Sequence, residues 1–392
     1  MRPLASIVAA ITAIMMALLS PAAAHKSSDS YLSLRLNGQE IIGQWDVALR
    51  DLDYALGLDS NNDGIITWGE LRSRQGQVAS YLLSRLRFNS DGEPCTTRVI
   101  EHLVDDHSDG AYAVLRFAAD CAEPPQTLEV GYDFFFDLDP QHRGLLRVEA
   151  NGQTQTAVLG PSRKTWRLEG GSVSRIRTFL DYFNEGVWHI WTGYDHILFL
   201  CSLLLPAVLS RRAGQWIGVT GYGEAVRNVL KIVTAFTLAH SITLSLAVLG
   251  FISIPSRLVE SAIALSVIAA ALNNLRPLVQ DRLWLVAFGF GLVHGLGFAN
   301  VLAELGLPAG ALAVALVSFN LGVEAGQLAI VSAILPVAYL CRHRWFYPRL
   351  VLGAGSCGIV AVASIWLIER GLNVSFFTLF QLARVSGPAF GG

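Results

Sequence analysis

The chain has 392 residues with a formal charge of −2, only 15% charged and 52% hydrophobic, and a mean hydropathy of +0.44. Near-neutral charge without a basic patch interleaved with aromatics excludes nucleic-acid binding, and so few charges exclude a chain soluble throughout. The average hides a division: residues 25–185 carry most of the charges and 186–370 are nearly all apolar, so an exported domain is expected to precede a membrane domain.

Residues 1–24 read as a secretory signal, with Arg2, an apolar run and small residues ending at Ala24; an uncleaved anchor is the alternative. Cleavage would leave His25 as a new amino terminus, whose α-amine and imidazole offer two metal donors, although a terminal histidine is usually just a terminus. Cys95 and Cys121 fall in the exported region and are expected to form a disulfide, while Cys201, Cys341 and Cys357 serve packing.

Within 25–169, apolar–polar alternation places short strands at 31–36, 40–49, 96–103, 112–117, 127–132 and 145–149, separated by Gly, Asp, Pro and Asn. This pattern predicts a β-rich, sandwich-like domain. Residues 59–70 interrupt it with every diagnostic position of an EF-hand loop. Asp59, Asn61 and Asp63 supply side-chain oxygens, Gly64 the sharp turn, Ile65 a carbonyl, Thr67 a water-holding hydroxyl and Glu70 a bidentate carboxylate. Helical patterns flank it at 47–58 and 68–86. A solvated acidic turn is the alternative; a single Ca²⁺ loop without a partner points to a structural site. His102, Asp105, Asp106 and His107 read as a solvated turn, with metal binding as the alternative. In the connector 170–185, Ile176, Phe179, Leu180 and Phe183 share one helical face, which would lie on the membrane surface or pack on the β-domain.

The remainder predicts an all-α membrane domain, 186–370, with six spans near 186–209, 229–250, 256–275, 283–303, 310–339 and 350–369, followed by a tail, 371–392. With the first domain exported, nine Lys or Arg fall in inner loops and three outside, which satisfies the positive-inside rule. The expected location is the inner (cytoplasmic) membrane, with the N-terminal domain on the periplasmic side. Counting depth along the spans puts Asp195, His196, His240, His294, Asn320 and Glu324 near the midplane, with His189 and Glu260 toward the outer entrance. In a straight helix His189 and His196 stand about 10 Å apart along the axis, which predicts two stations on a path, or one metal site plus its gate, rather than a single chelate. Asp195, Glu260 and Glu324 have no Lys or Arg within the spans to pair with, as suits a bound cation. A donor set of nitrogen and oxygen without thiolate fits Ni²⁺, Co²⁺ or Zn²⁺. Asn273, Asn274 and Gln327 read equally well as hydrogen-bond links between helices.

The stretch His189-Ile-Trp-Thr-Gly-Tyr-Asp-His196 resembles the first-span signature of the HupE/UreJ membrane proteins. Ala239-His-Ser-Ile-Thr-Leu244, Val259-Glu260, residues 290–298 around His294 and 319–327 around Asn320 and Glu324 resemble the longer branch of that family, which adds an exported domain. Ile190 departs from the short permeases, which have proline after the first histidine. The resemblance implies a nickel or cobalt permease, working alone or as a homo-oligomer, with the lipid bilayer and the metal ion as its partners. Two other functions fit the residues: an intramembrane metal-dependent hydrolase of a lipid-type substrate, and a calcium-stabilised receptor or assembly protein. No nucleotide-binding motif is present, so energy would come from a gradient or a separate partner.

Overall fold

The computed structural model describes residues 28–107, 110–140, 142–150, 152–168, 175–212, 215–279, 282–299, 302 and 309–372. The expected signal segment, His25, the start of the connector, part of the expected fourth span and most of the tail lie outside these residues.

Ten strands build the N-terminal half: β1 (Asp29–Asn37), β2 (Glu40–Ala48), β3 (Leu86–Ser90), β4 (Glu93–Pro94), β5 (Thr96–His107), β6 (Gly110–Asp120), β7 (Leu128–Tyr132), β8 (Arg143–Ala150), β9 (Gln153–Leu159) and β10 (Thr165–Leu168). One sheet has the order β5-β6-β2-β1-β8-β9 and the other β10-β7-β3-β4. Every strand pair is antiparallel except β1 with β8. Their facing apolar residues, among them Trp45, Phe117 and Leu146 from one sheet and Phe88, Val130 and Trp166 from the other, form one core. A disulfide joins Cys95 to Cys121 across the β5 and β6 ends. Three short helices, α1 (Leu49–Leu56), α2 (Trp68–Ser73) and α3 (Gln75–Ser84), lie between β2 and β3.

The turn expected at 102–107 is instead strand. β5 continues to His107, which pairs with Gly110, because His107 gains partners there: Asp46 at 3.3 Å and the rings of Tyr31 and Tyr112 at 4.9 and 4.1 Å.

A buried polar chain, which nothing in the sequence pattern signals, ties the start of β1 to the domain. Trp45 Nε1 donates to Ser30 Oγ at 3.1 Å, Ser30 Oγ meets Tyr132 OH at 2.7 Å, and His142 bridges Tyr132 OH and Ser28 Oγ. Ser28 Oγ then donates to Asp51 Oδ2 at 2.6 Å. One direction of donation, from Trp45 to Asp51, satisfies every member with a neutral imidazole.

The C-terminal half contains α4 (Arg175–Thr192), α5 (Tyr194–Leu204), a small hairpin of β11 (Leu209–Arg212) and β12 (Gln215–Gly218), then α6 (Tyr222–Val248), α7 (Ser256–Leu275), α8 (Leu283–His294), α9 (Ala309–Cys341) and α10 (Gly355–Leu372). Four helical stretches are long and apolar enough to cross a membrane, or five if the bent pair α4 and α5 forms one span. Among the described residues, therefore, six uninterrupted spans are not seen. The expected first span begins ten or so residues early, inside the connector, and bends by 70° between α4 and α5. The expected fourth span is interrupted: its first stretch, Leu283–His294, ends in a turn at 295–298, and helix resumes at Ala299 and Leu302. The 12 residues of that first stretch rise about 18 Å, short of a bilayer's hydrocarbon core.

One helix joins the two halves. Asp181 pairs with Arg163 at 2.7 Å, Glu185 with Arg143 at 3.7 Å, and Tyr182 OH lies 3.4 Å from Thr156 Oγ1. Tyr182 and Ile190 of α4 share an apolar cluster with Leu145 and Phe319. The connector's apolar face is divided, since Ile176 and Leu180 remain exposed. On its other side α4 touches α9 backbone to backbone: a Cβ on Gly186 would strike the Phe319 carbonyl, and one on Gly322 the Phe183 carbonyl. Only glycine permits that approach.

Burial holds the His142 imidazole well below its ordinary range, at about 3, with Arg143 and Arg50 adding to the effect. A histidine depressed in the folded state stabilises fully above its unfolded value of about 6.5 and loses that stability as pH falls toward 3. Asp51, raised by burial and partly offset by Arg50, acts in the opposite sense, because its protonation on acidification relieves a cost. His142, with the large shift, is expected to dominate between pH 6.5 and 4.5. Amide exchange along β1, corrected for intrinsic rates, should quicken across that window, and His142→Gln should flatten the dependence. A wild-type profile already flat from pH 6.5 to 4.5 would refute this role for His142.

Candidate metal site in the membrane half

The site begins with the break at Gly193. Gly193 takes an extended ψ of 95°, so α5 restarts at an angle, and Asp195 Oδ1 accepts from the next main-chain N–H, that of His196, at 2.9 Å. A Cβ at position 193 would lie 2.7 Å from the His189 carbonyl and 2.8 Å from His196 Nδ1. Glycine is thus needed for the fold-back that brings the two rings together.

That break overturns the expectation of two separate stations. The His189 and His196 ring centroids are 4.6 Å apart, because the chain between them is bent and a straight-helix rise does not apply. His189, His196 and His240 each offer one nitrogen, and the three nitrogens lie within 4.8 Å of one another. His189 is therefore grouped with His196 and His240 and not set a helical span away from them. His294, the last residue of α8, stands beside His196 with ring centroids 5.1 Å apart.

The hydrogen bonds fix how three of these rings present themselves. Asn320 Nδ2 donates to the Leu316 carbonyl at 2.8 Å, which leaves its Oδ1 as acceptor for His240 Nδ1 at 3.2 Å. His294 Nδ1 lies 2.9 Å from the Phe290 carbonyl, and His196 Nδ1 3.0 Å from Asp195 Oδ1. Each partner is an acceptor, so each Nδ1 carries the proton and each Nε2 keeps its lone pair. The Nε2 atoms of His189, His196, His240 and His294 are all buried and have no hydrogen-bond partner. Phe298 and Phe319 flank His189, and Phe199 and Phe236 flank His294, so the cluster has apolar walls. Buried polar atoms without partners are costly, and outward-bonded Nδ1 with inward Nε2 is the arrangement of metal-binding histidines. The residues fit a borderline divalent ion.

The other expected members divide. Asn320 orients His240, and Asp195 orients His196; both stand behind a ring and not among the inward nitrogens. Asp195 is also not uncompensated, since Arg370 Nη2 reaches its Oδ2 at 3.5 Å. Arg370 is one of the three basic residues that the sequence count puts outside, with Arg257 and Arg384. Glu324 lies on α9 one turn past Asn320 and accepts from Thr234 Oγ1 at 3.2 Å, six residues before His240. Glu260 lies on α7, where its main-chain carbonyl accepts from Arg370 Nη1 at 3.3 Å. Gln327 accepts from Thr237, Asn274 links to Ser202 and Ser356, and Asn273 caps the loop at 278–279; these three act as structural links.

In the N-terminal half, the loop 59–70 is folded around its own acidic side chains. Asp59 Oδ2 accepts from Gly64 N at 2.8 Å, Asn61 Oδ1 from Asp63 N at 2.9 Å, and Asp63 Oδ1 from Ile65 N at 2.8 Å. Gly64 has a φ of +81°. Glu70 accepts from Thr67 and Ser60 backbone and hydroxyl groups, and those bonds, the Thr67 backbone foremost, hold its carboxyl down at about 2.

No curated protein matches the chain. A family model described as HupE / UreJ protein matches residues 164–370, which takes in α4 through all but the end of α10 and every histidine of the cluster. The chain belongs to the HupE/UreJ family.

Proposed function

We propose that this protein carries a divalent transition metal, of the nickel or cobalt type, across a membrane. The observation that supports this reading most is the set of four buried Nε2 atoms without partners, three of whose rings are fixed from behind by Asp195, Asn320 and a carbonyl. His189, His196 and His240 would hold the ion, and His294 would take it over from His196. Glu324 and Glu260, on α9 and α7, would be carboxylate stations to either side. Two helices that stop at the cluster, α5 at its start and α8 at its end, suit a transporter, in which interrupted helices meet at the substrate. In this reading α4 with α5 forms the first span and α8 a partial one. The β-domain would face the periplasm after removal of residues 1–24, with the Arg-rich loops at the cytoplasmic face.

We also propose that residues 59–70 bind one Ca²⁺ through Asp59, Asn61, Asp63, Ile65, Thr67 and Glu70. The spacing supports this, as does a loop already wound about its carboxylates with glycine at the tight turn. Calcium there would stabilise the β-domain and not take part in transport.

A hydrolytic reading has one observation in its favour: three histidines with a carboxylate behind one of them also suit a resident zinc that activates water. Vesicles reconstituted with the full chain and loaded with a metal-sensitive dye separate the two. Uptake of Ni²⁺ or Co²⁺ is expected, and His196→Ala or His240→Ala should reduce it at least about ten-fold. One tightly held zinc per chain with no flux would sink the transport reading. For the loop, calcium should raise the melting temperature of the β-domain in the full chain, and Glu70→Gln should remove that rise. A calcium response that survives Glu70→Gln rules the assignment out.

A further inference from the structure

The last turn of α10 brings one guanidinium to the back of the histidine cluster. Arg370 Nη2 lies 3.5 Å from Asp195 Oδ2, and the two side chains are only 15% and 17% exposed. The other carboxylate oxygen, Oδ1, faces His196 Nδ1 at 3.0 Å and the His196 main-chain N at 2.9 Å. Arg370 is itself held, by the Glu260 carbonyl at 3.3 Å and by the Trp366 ring 5.6 Å below its guanidinium carbon. A carboxylate tethered through one oxygen can still swing about its Cβ–Cγ bond. Anchoring the second oxygen stops that swing, and with it the freedom of the imidazole that leans on the first.

We propose that Arg370 is a positioning residue for the metal ion, acting through Asp195 to hold the His196 ring in its Nδ1–H tautomer with Nε2 aimed at His189 and His240. This inference rests on the reading of those three histidines as the ion site. The competing account is purely architectural: Arg370 ties α10 to α7 through the Glu260 carbonyl, and its approach to Asp195 has no consequence for the ion. The two accounts differ in whether the effect of Arg370 passes through Asp195.

The test is Co²⁺ binding to the purified full chain, followed by equilibrium dialysis and by the visible absorption of the bound ion. Wild type should bind, and His196→Ala should lose both the binding and the band. Arg370→Gln is expected to weaken Co²⁺ about ten-fold, the lower end for groups that orient a metal ligand, and to alter the band; Arg370→Lys should recover most of both. Asp195→Asn should weaken binding similarly, and adding Arg370→Gln to it should cost nothing further, because groups acting as one unit are not additive. Additive losses in the double variant, equal losses in Arg370→Gln and Arg370→Lys, or an unchanged affinity and band in a folded Arg370→Gln would each overturn the positioning role while leaving the ion site standing. A wild type that binds no Co²⁺, or a His196→Ala variant that binds it unchanged, would remove the ion site itself and this inference with it. Melting curves of each variant identify those that fail to fold, and Arg370→Lys retains the comparison if Arg370→Gln is among them.

Discussion

The membrane half depends on the cost of burying a lone pair that nothing satisfies. An imidazole nitrogen moved from water into an apolar setting without a partner loses on the order of 1–3 kcal/mol, and four such atoms occur together. Phenylalanine rings wall the cluster, so water does not offset the cost from the side. On three of the four rings Asp195, Asn320 and the Phe290 carbonyl bond to the other ring nitrogen, which leaves the costly atom unsatisfied. In the proposed reading a cation would accept those lone pairs and remove the cost.

The geometry of that cage comes from helices that stop. α5 restarts at Gly193 after a bend of 70°, and α8 ends at His294. The long helices α6 and α9 supply the residues that need a continuous wall: His240, and Asn320 behind it. Contacts of backbone with backbone, such as Gly186 on Phe319 and Gly322 on Phe183, bring α4 close enough to α9 for His189 to lie against the Phe319 ring.

Much of this is legible in the sequence because it is written in composition and local pattern. Alternation gives six of the strands, and apolar runs give the long helices. Ionisable residues inside apolar runs are rare enough to name all four histidines. Local rules fail where structure depends on a distant partner. The kink at Gly193 reads like any other glycine, so helical counting placed His189 about 10 Å along the axis from His196, whereas the rings are nearly in contact. Arg370 sits some 175 positions from Asp195, and only the packing of α10 joins them. His142 lies in a stretch with no motif; its partners Ser28 and Tyr132, and Asp51 beyond Ser28, come from three separate parts of the chain. Strands β3, β4 and β10 are short, and β9, though longer, has a mostly polar first half; all four are defined by the strands beside them.

The attachment of α4 has a mechanical consequence. One part of this rod is clamped to the β-domain by Arg163, Arg143 and Thr156, and its far end carries His189. From Tyr182 to His189 is about 10 Å along the axis, two turns with no intervening glycine hinge except Gly186, which is locked against α9. A rod held at one end and loaded at the other transmits displacement without absorbing it. The position of one ring of the histidine cluster is therefore set by a surface of the β-domain, and the two halves of the chain are joined as one lever rather than as a domain on a tether.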